Sequence, residues 1–396
     1  MSIHSLNFPP SLRRPRAPQP RDYARRDRAI ALYDEGRPLE AVHETLLHLL
    51  PILEASDLQA APIVFDQGSA RVRIALEDGQ LCIRAELARL SEDSNAVAAL
   101  RYMLSRVAAT GQLFQPRLRE DLLSLEYSDP LALAHPQKLL EVLQRLPSEA
   151  DHNDGWLVER FGLVLHGRAE REPLDDAEFE RAEAWWRAHW DAAGELLSEL
   201  RRRRSVRLLN AIGSYLVDAV RAGLPLHGTL RSELQEYAER FGDTDSPPNE
   251  RDAELAKCIR ALREVDPARL RECLGHAHYA LDPLPQGTPS LLSRILGDSG
   301  RRQMAGEMLA SGRALEAAME LVADYHYLLA QFGWAPAIDA ELRQGLAQAS
   351  GRGWSELCES LLAHASALCQ SYGRPGASGG DDDEGDGEPS PHSTQD

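Results

Sequence analysis

The segment RVRIALEDGQLCIRAELA, residues 71–88, constrains the fold more than any other part of the chain. Apolar residues alternate with polar ones on both sides of Asp78-Gly79, and the alternating positions are Val72, Ile74, Leu76, Leu81, Ile83 and Ala85. A period of two is typical of a strand with one buried face. Asp-Gly favours a two-residue hairpin turn, because both turn positions need positive φ. The segment therefore predicts an antiparallel β-hairpin in which Val72, Ile74, Leu81 and Ile83 face a helix.

The segments around the hairpin predict a small α+β domain. Helical spacing over residues 23–50 is interrupted at Gly36 and Pro38, which indicates two short helices or one broken helix. A strand is expected at Pro62–Phe65, before the hairpin. A helix (residues 96–107), two strands (113–118 and 122–127) and a helix opened by His135-Pro136 are expected after it. The predicted order over residues 23–165 is therefore helix, three strands, helix, two strands, helix.

After Pro173 the chain shows helical periods only. Phe179, Trp186, Ala193 and Leu200 recur every seven residues, which predicts a long helix with one buried stripe. Further helical segments are predicted at residues 208–220, 230–241, 253–265, 267–279, 291–334 with breaks, and 339–372. We therefore expect an all-helical domain over residues 173–372, and an α+β class for the whole protein.

Both ends of the chain have compositions typical of disorder. Residues 1–22 combine proline with Arg13, Arg14, Arg16 and Arg21, and residues 373–396 contain the acidic block Asp381–Glu388. Such segments bury too little apolar surface to offset the loss of chain entropy. We expect a disordered basic arm and a disordered acidic tail, which could attract each other at low ionic strength or act as solubility tails only.

Composition and charge exclude several classes of function. A formal net charge of -18 would repel a phosphate backbone, so nucleic acid is not an expected partner. No run reaches the roughly 18 apolar residues of a membrane span, and the first residues lack the apolar core of a signal peptide, so we expect no membrane partner and a cytoplasmic location. The cysteines number 5 and form no C-x-x-C pair, which argues against a disulfide framework and a zinc ribbon.

Three short motifs imitate catalytic or metal sites without the required spacing. Gly297–Gly300 matches the sequence around the nucleophile of trypsin-like proteases, but it lies between helical segments. A helix-breaking loop is therefore the better interpretation. His43 and His48 are five residues apart, about 140° around a helix, and so cannot share a zinc ion; we expect both to be partly exposed. Residues 151–155 lack the ligand alternation of a calcium loop and predict a turn or helix N-cap.

A fourth candidate joins His276 and His278 to nearby Cys273. Histidine and cysteine without paired spacing on a predicted helix are more often structural than metal-binding. We therefore predict no catalytic residue, no metal ligand and no cofactor.

Two features could mark a protein-binding surface. Trp186 lies on the heptad stripe and should be buried, whereas Trp185 and Trp190 lie off it and are the better candidates for contact with a partner. The run Arg201–Arg204 could contact phosphate or an acidic partner. At a helix C-terminus it would equally complement the helix dipole, which is the interpretation we favour.

The hairpin at residues 71–88 and the segment ADHNDGWLVERFG at residues 150–162, with the element order over residues 29–162, carry a resemblance. This third of the chain resembles the small chaperones of type III secretion substrates, the Tir-chaperone type, and the related YbjN family. The resemblance implies an acidic, usually dimeric protein that binds an extended client segment over apolar patches on its sheet and first helix. The helical region after Pro173 and both tails depart from that family.

The sequence thus predicts a protein that binds a partner and catalyses no reaction. Our first hypothesis is a non-enzymatic, chaperone-like module for a secreted or other protein client, with a homodimer as the candidate assembly. The alternative is a helical adaptor or regulatory scaffold in which the carboxy-terminal half recognises the partner.

Overall fold

The computed structural model describes residues 4–50, 58–108, 112–167, 169, 171–242, 245–298 and 301–373. The helices are α1 (Tyr23–Asp34), α2 (Pro38–Leu49), α3 (Ala96–Ala108), α4 (Pro136–Phe161), α5 (Asp176–Arg203), α6 (Leu209–Gly223), α7 (Gly228–Gly242), α8 (Pro248–Arg263), α9 (Pro267–Glu272), α10 (Pro289–Leu296), α11 (Arg301–Ala310), α12 (Ala314–Gln331), α13 (Pro336–Ala349) and α14 (Trp354–Tyr372). The strands are β1 (Ile63–Gly68), β2 (Ala70–Glu77), β3 (Gln80–Arg89), β4 (Gln115–Arg119), β5 (Leu122–Pro130), β6 (Val164–Leu165), β7 (Arg171–Pro173) and β8 (Gly275–Tyr279).

The predicted hairpin is confirmed as β2 and β3 of an antiparallel sheet. Ile74 pairs with Ile83 and Leu76 with Leu81. Asp78 and Gly79 have φ values of 50° and 79°, as a turn that matches the strand twist requires. The strand order is β4-β5-β3-β2-β1-β8-β7, with β6 paired to the end of β3. The α+β class and the predicted element order through α4 are confirmed.

Helix α4 covers one face of this sheet and forms its core with β1, β2, β3 and β5. The four hairpin residues that were expected to face a helix are all buried. They share a core with Leu139, Val142, Leu143 and Leu146 of α4. The opposite face carries charged side chains at alternate positions, as in an antiparallel sheet with one solvated side.

Helices α5 to α14 form a second core. The heptad stripe of α5 is buried at Phe179, Trp186, Ala193 and Leu200, as predicted. Trp186 Nε1 donates to Leu262 O in α8 at 2.8 Å, which fixes the crossing of these two helices. In the described part of the chain, no helix is both long enough and apolar enough to span a membrane.

The helical half also supplies strands to the sheet, which corrects the expectation of helix over residues 267–279. Helix α9 ends at Glu272 and β8 follows, with its Tyr279 paired to Gln67 of β1. The β8 segment is short and its partner strand is remote in sequence, so local periodicity carries no sign of the pairing. Because β7 and β8 extend the sheet of the amino-terminal part, the two predicted domains share one sheet.

Residues 4–22 also differ from expectation, since they form an extended segment with partners along its length. Leu6 is buried, and Leu6 O accepts from Gly351 N at 2.8 Å. Arg14 forms an ion pair with Glu172 at 2.6 Å, and Arg16 lies 3.6 Å from Asp282. The prediction of disorder rested on average composition and therefore missed three apolar residues that pack in or against the helical core, Leu6, Phe8 and Leu12. The acidic block Asp381–Glu388 lies outside the described residues.

Candidate protein-interaction site

Strand β4 ends the sheet and offers a strand edge. It pairs with β5 on one side, from Gln115 opposite Glu126 to Arg119 opposite Leu122. No described strand lies on its other side. An open strand edge presents backbone N–H and C=O groups that a second chain can pair with.

The backbone of β4 directs residues 116 and 118 outward. Ser124 Oγ donates to Arg117 O at 3.5 Å, so the carbonyl of Arg117 points towards β5. In an antiparallel pair, alternate residues point their backbone groups to opposite sides. Pro116, which has no N–H, is thus on the side where proline is tolerated in an edge strand. The outward groups are the N–H and C=O of Leu118 and the C=O of Pro116.

Exposed apolar side chains accompany this edge. Leu118 and Leu113 are each 40% exposed. Helix α3 packs against β4 and α4, and its exposed side carries Val97 and Leu104, which are 62% and 54% exposed. These two residues are seven apart and therefore lie on one stripe of the helix. A strand edge with exposed apolar side chains is a candidate surface for protein contact.

The same edge carries positive charge on its solvated face. Glu126 is nearly buried and lies 2.8 Å from both Arg84 and Arg119, which saturates its carboxylate. Arg117 is exposed and forms no ion pair with any described residue. Glu120, in the turn after β4, is the nearest exposed acidic residue in sequence. The edge is locally basic although the whole chain is acidic.

The structure places the two tryptophans proposed as partner contacts away from this edge, in the helical core. Trp190 is fully buried, which corrects its assignment to the surface. Trp185 is half-buried, stacks on His189 and leaves no room for a side chain at Gly223. A single stripe was expected on α5, but α6 and α8 both pack on this helix and bury a wider face.

The arginine run closes α5 as the dipole interpretation predicted. Arg202 and Arg203 both pair with Glu199, and Arg204 is the left-handed C-cap. Arg201 pairs with Asp252 at 2.7 Å and borders a cleft of about 610 Å³ between α5 and α8. Arg187, Arg260 and Arg263 also line this cleft.

The catalytic and metal-like motifs are dispersed. His48 is buried, which corrects its expected exposure, and its Nδ1 donates to Asp22 O at 2.8 Å; desolvation lowers its pKa. Gly297 ends α10, and Ser299 and Gly300 lie outside the described residues. His276 and His278 lie on β8 and Cys273 caps α9. The described residues contain no group of three or more His, Cys, Asp or Glu that could hold a metal ion.

Residues 151–155 lie inside α4, which corrects the predicted turn or N-cap. Asp151 is buried and accepts hydrogen bonds from Ser69 N at 2.7 Å and Ser69 Oγ at 2.9 Å. Arg231 of α7 pairs with its other oxygen and donates to Tyr279 Oη at 3.0 Å. Burial raises the pKa of Tyr279, so its hydroxyl stays protonated. This network joins the sheet, α4 and the helical half, and its role is structural.

Sequence reasoning missed the β4 edge because strand order is not visible in a single sequence. One available signal was Pro116 inside a predicted strand, since proline in a strand favours an edge position. Comparisons with protein-family models, with curated proteins and with solved structures found no match to this chain.

Proposed function

We propose that this protein is a non-catalytic, cytoplasmic, chaperone-like module that binds an extended segment of a partner protein by adding it as a strand to β4. The observation that carries the proposal is the open β4 edge together with the exposed apolar side chains of Leu113 and Leu118. Strand addition uses backbone hydrogen bonds for affinity and alternate side chains for specificity, so it suits clients in an extended conformation. The resemblance of residues 29–162 to secretion chaperones supports the same type of client.

The partner segment would make two kinds of contact. Its backbone would pair with the outward groups of Pro116 and Leu118. Its side chains on the core side would then lie beside Leu118. Removing these side chains from water supplies about 25 cal/mol per Å² of apolar surface buried.

The test uses a displayed library of short random peptides selected on the full chain. Hydrogen exchange with a selected peptide should increase protection in the segment 115–119, above all at the outward amide of Leu118. Leu118→Asp should weaken its binding by about tenfold or more, a loss of about 1.4 kcal/mol. Val64→Asp is the matched control, because Val64 is an exposed apolar strand residue, 52% exposed, on the paired strand β1.

Two results would overturn the proposal. One is protection confined to other elements, and the other is an equal effect of both aspartate substitutions. Circular dichroism and urea unfolding of both variants would establish that they fold, so that a loss of binding reports on the site.

The helical adaptor is the second candidate, and the arginine-lined cleft between α5 and α8 favours it. Arg260 there forms no ion pair with any described residue. Under this alternative, the selected peptides would protect α5 and α8 instead of β4. Arg260→Glu would weaken the binding of these peptides, and Leu118→Asp would leave it unchanged.

A further inference from the structure

We infer that the segment received by β4 alternates acidic and apolar residues. This inference rests on the proposed function and names the chemistry of the partner. Its basis is the two-sided character of β4, in which one face of the strand is basic and the other is apolar.

The register assigns each β4 side chain to a face. Gln115, Arg117 and Arg119 align with Glu126, Ser124 and Leu122 on the solvated face of the sheet. Pro116 and Leu118 align with Leu125 and Leu123, which are buried in the core. Because neighbouring strands keep their pleats in phase, an added strand must present its own alternate residues to the same two faces.

The solvated face of the added strand would meet Arg117 and Arg119. Arg117 forms no ion pair with any described residue, and Arg119 shares its partner Glu126 with Arg84. Opposite charges directly across a strand pair are favourable and like charges are unfavourable. Aspartate or glutamate on this face therefore complements the edge, and lysine or arginine opposes it.

The other face of the added strand would meet Pro116 and Leu118, of which Leu118 is 40% exposed. Apolar residues at alternate positions of the partner would cover this surface. The acidic block of this chain, DDDEGDGE at residues 381–388, has no apolar residue and does not satisfy the alternation.

The test compares three synthetic peptides of equal length on the full chain. The first alternates glutamate with valine, the second alternates lysine with valine, and the third has the composition of the first with its glutamates and valines in separate blocks. We expect the first to bind about tenfold or more tighter than either of the others at low ionic strength. Added salt should reduce its advantage over the lysine peptide, since exposed charges are screened.

Arg117→Glu should reverse the preference between the first and second peptides, and Arg73→Glu serves as its control. Arg73 is an exposed arginine of the same solvated face but lies on β2, away from the edge. Equal binding of the first two peptides, or a preference unchanged in Arg117→Glu, would overturn the inference.

Hydrogen exchange separates this failure from failure of the proposed function. If all three peptides protect residues 115–119 equally, strand addition stands and the alternation rule is wrong. If none protects them, the proposed function fails. Sedimentation of the free chain tests whether a second copy of the protein pairs with β4. A dimer that dissociates when the first peptide is added would show such pairing and would contradict the inference.

Discussion

A Cβ atom built on Gly68 would lie 2.0 Å from Oδ1 of Asp151. Gly68 ends β1 with φ of +63°, and Ser69 after it donates two hydrogen bonds to that same oxygen. The turn between β1 and β2 thus closes around a buried carboxylate of α4. A glycine is required there both for its backbone conformation and for the space it leaves.

Gly68→Ala should therefore cost much more stability than the same change at Gly79. Gly79 also has positive φ, +79°, but a Cβ there would meet nothing within 4 Å. The cost at Gly79 is the backbone term alone, about 1–2 kcal/mol, and a β-branched Gly79→Val should cost at least about 1 kcal/mol. At Gly68 the displaced carboxylate adds to this term, for a total of about 3 kcal/mol or more. Urea unfolding measures both, and equal losses would contradict the packing argument.

Asp151→Ala should reduce the free energy of unfolding by about 3–5 kcal/mol, because it leaves Arg231 largely buried without its counter-ion. Adding Arg231→Met to that variant should restore at least about 1 kcal/mol, since an apolar side chain needs no partner there. A double variant less stable than the single one would show that Arg231 is held by other contacts, such as Tyr279.

Acid should destabilise the protein through two histidines that pack among aromatic rings, His189 and His326. Burial lowers the pKa of His189 and of His326 to about 4, below the usual 6.5. Between those values the unfolded chain binds more protons than the folded one, so their contribution to stability falls as pH drops from about 6.5 to 4. His326→Gln should therefore lose less stability between pH 7 and pH 5 than the unmodified chain.

Asp218 should act in the opposite direction. Burial raises its pKa to about 6, so the folded state retains a proton that the unfolded state releases above pH 3.8. Its contribution therefore grows on acidification, and Asp218→Asn should lose more stability between pH 7 and pH 5 than the unmodified chain. Urea unfolding at both pH values gives the two differences, and a shared sign for both variants would contradict the assignment.

Trp190→Ala should cost about 3–5 kcal/mol in stability and leave peptide binding unchanged, because the side chain is fully buried in the helical core. Trp185→Ala should cost less, since this ring is half-buried. Peptide affinity measured by fluorescence polarisation checks the second part of the prediction. A tenfold loss of affinity in either variant would show that the tryptophan contributes to peptide binding, contrary to this prediction.

The parts of the fold that the sequence predicted are those set by neighbouring residues. Asp78-Gly79 with alternation on both sides specifies the hairpin, and the heptad from Phe179 to Leu200 specifies the buried stripe of α5. Burial of Trp190 could not be predicted this way, because it depends on the second helix that packs on α5. The same limit applies to β8, since Leu281 N donates to Gln67 Oε1 from 214 residues away.

The candidate site divides in the same manner. Pro116 and the alternation of β4 are visible in the sequence, and so is the apolar spacing of Val97 and Leu104. That β4 is the outermost strand follows only from the order in which strands pair, which a single sequence does not contain.

The pairing of β8 with β1 has a consequence for synthesis on the ribosome. Strand β1 is among the first elements to emerge, yet its neighbour β8 is complete only when Tyr279 has been added. The hydrogen bond from Gly351 N to Leu6 O can form only later still. Long-range pairings of this kind slow folding and leave strand edges open in the meantime. The nascent chain therefore carries an unpaired β1 edge through about 200 residues of elongation, roughly 10–40 s at 5–20 residues per second. Aggregation during that interval would limit the yield of the protein before its final stability does.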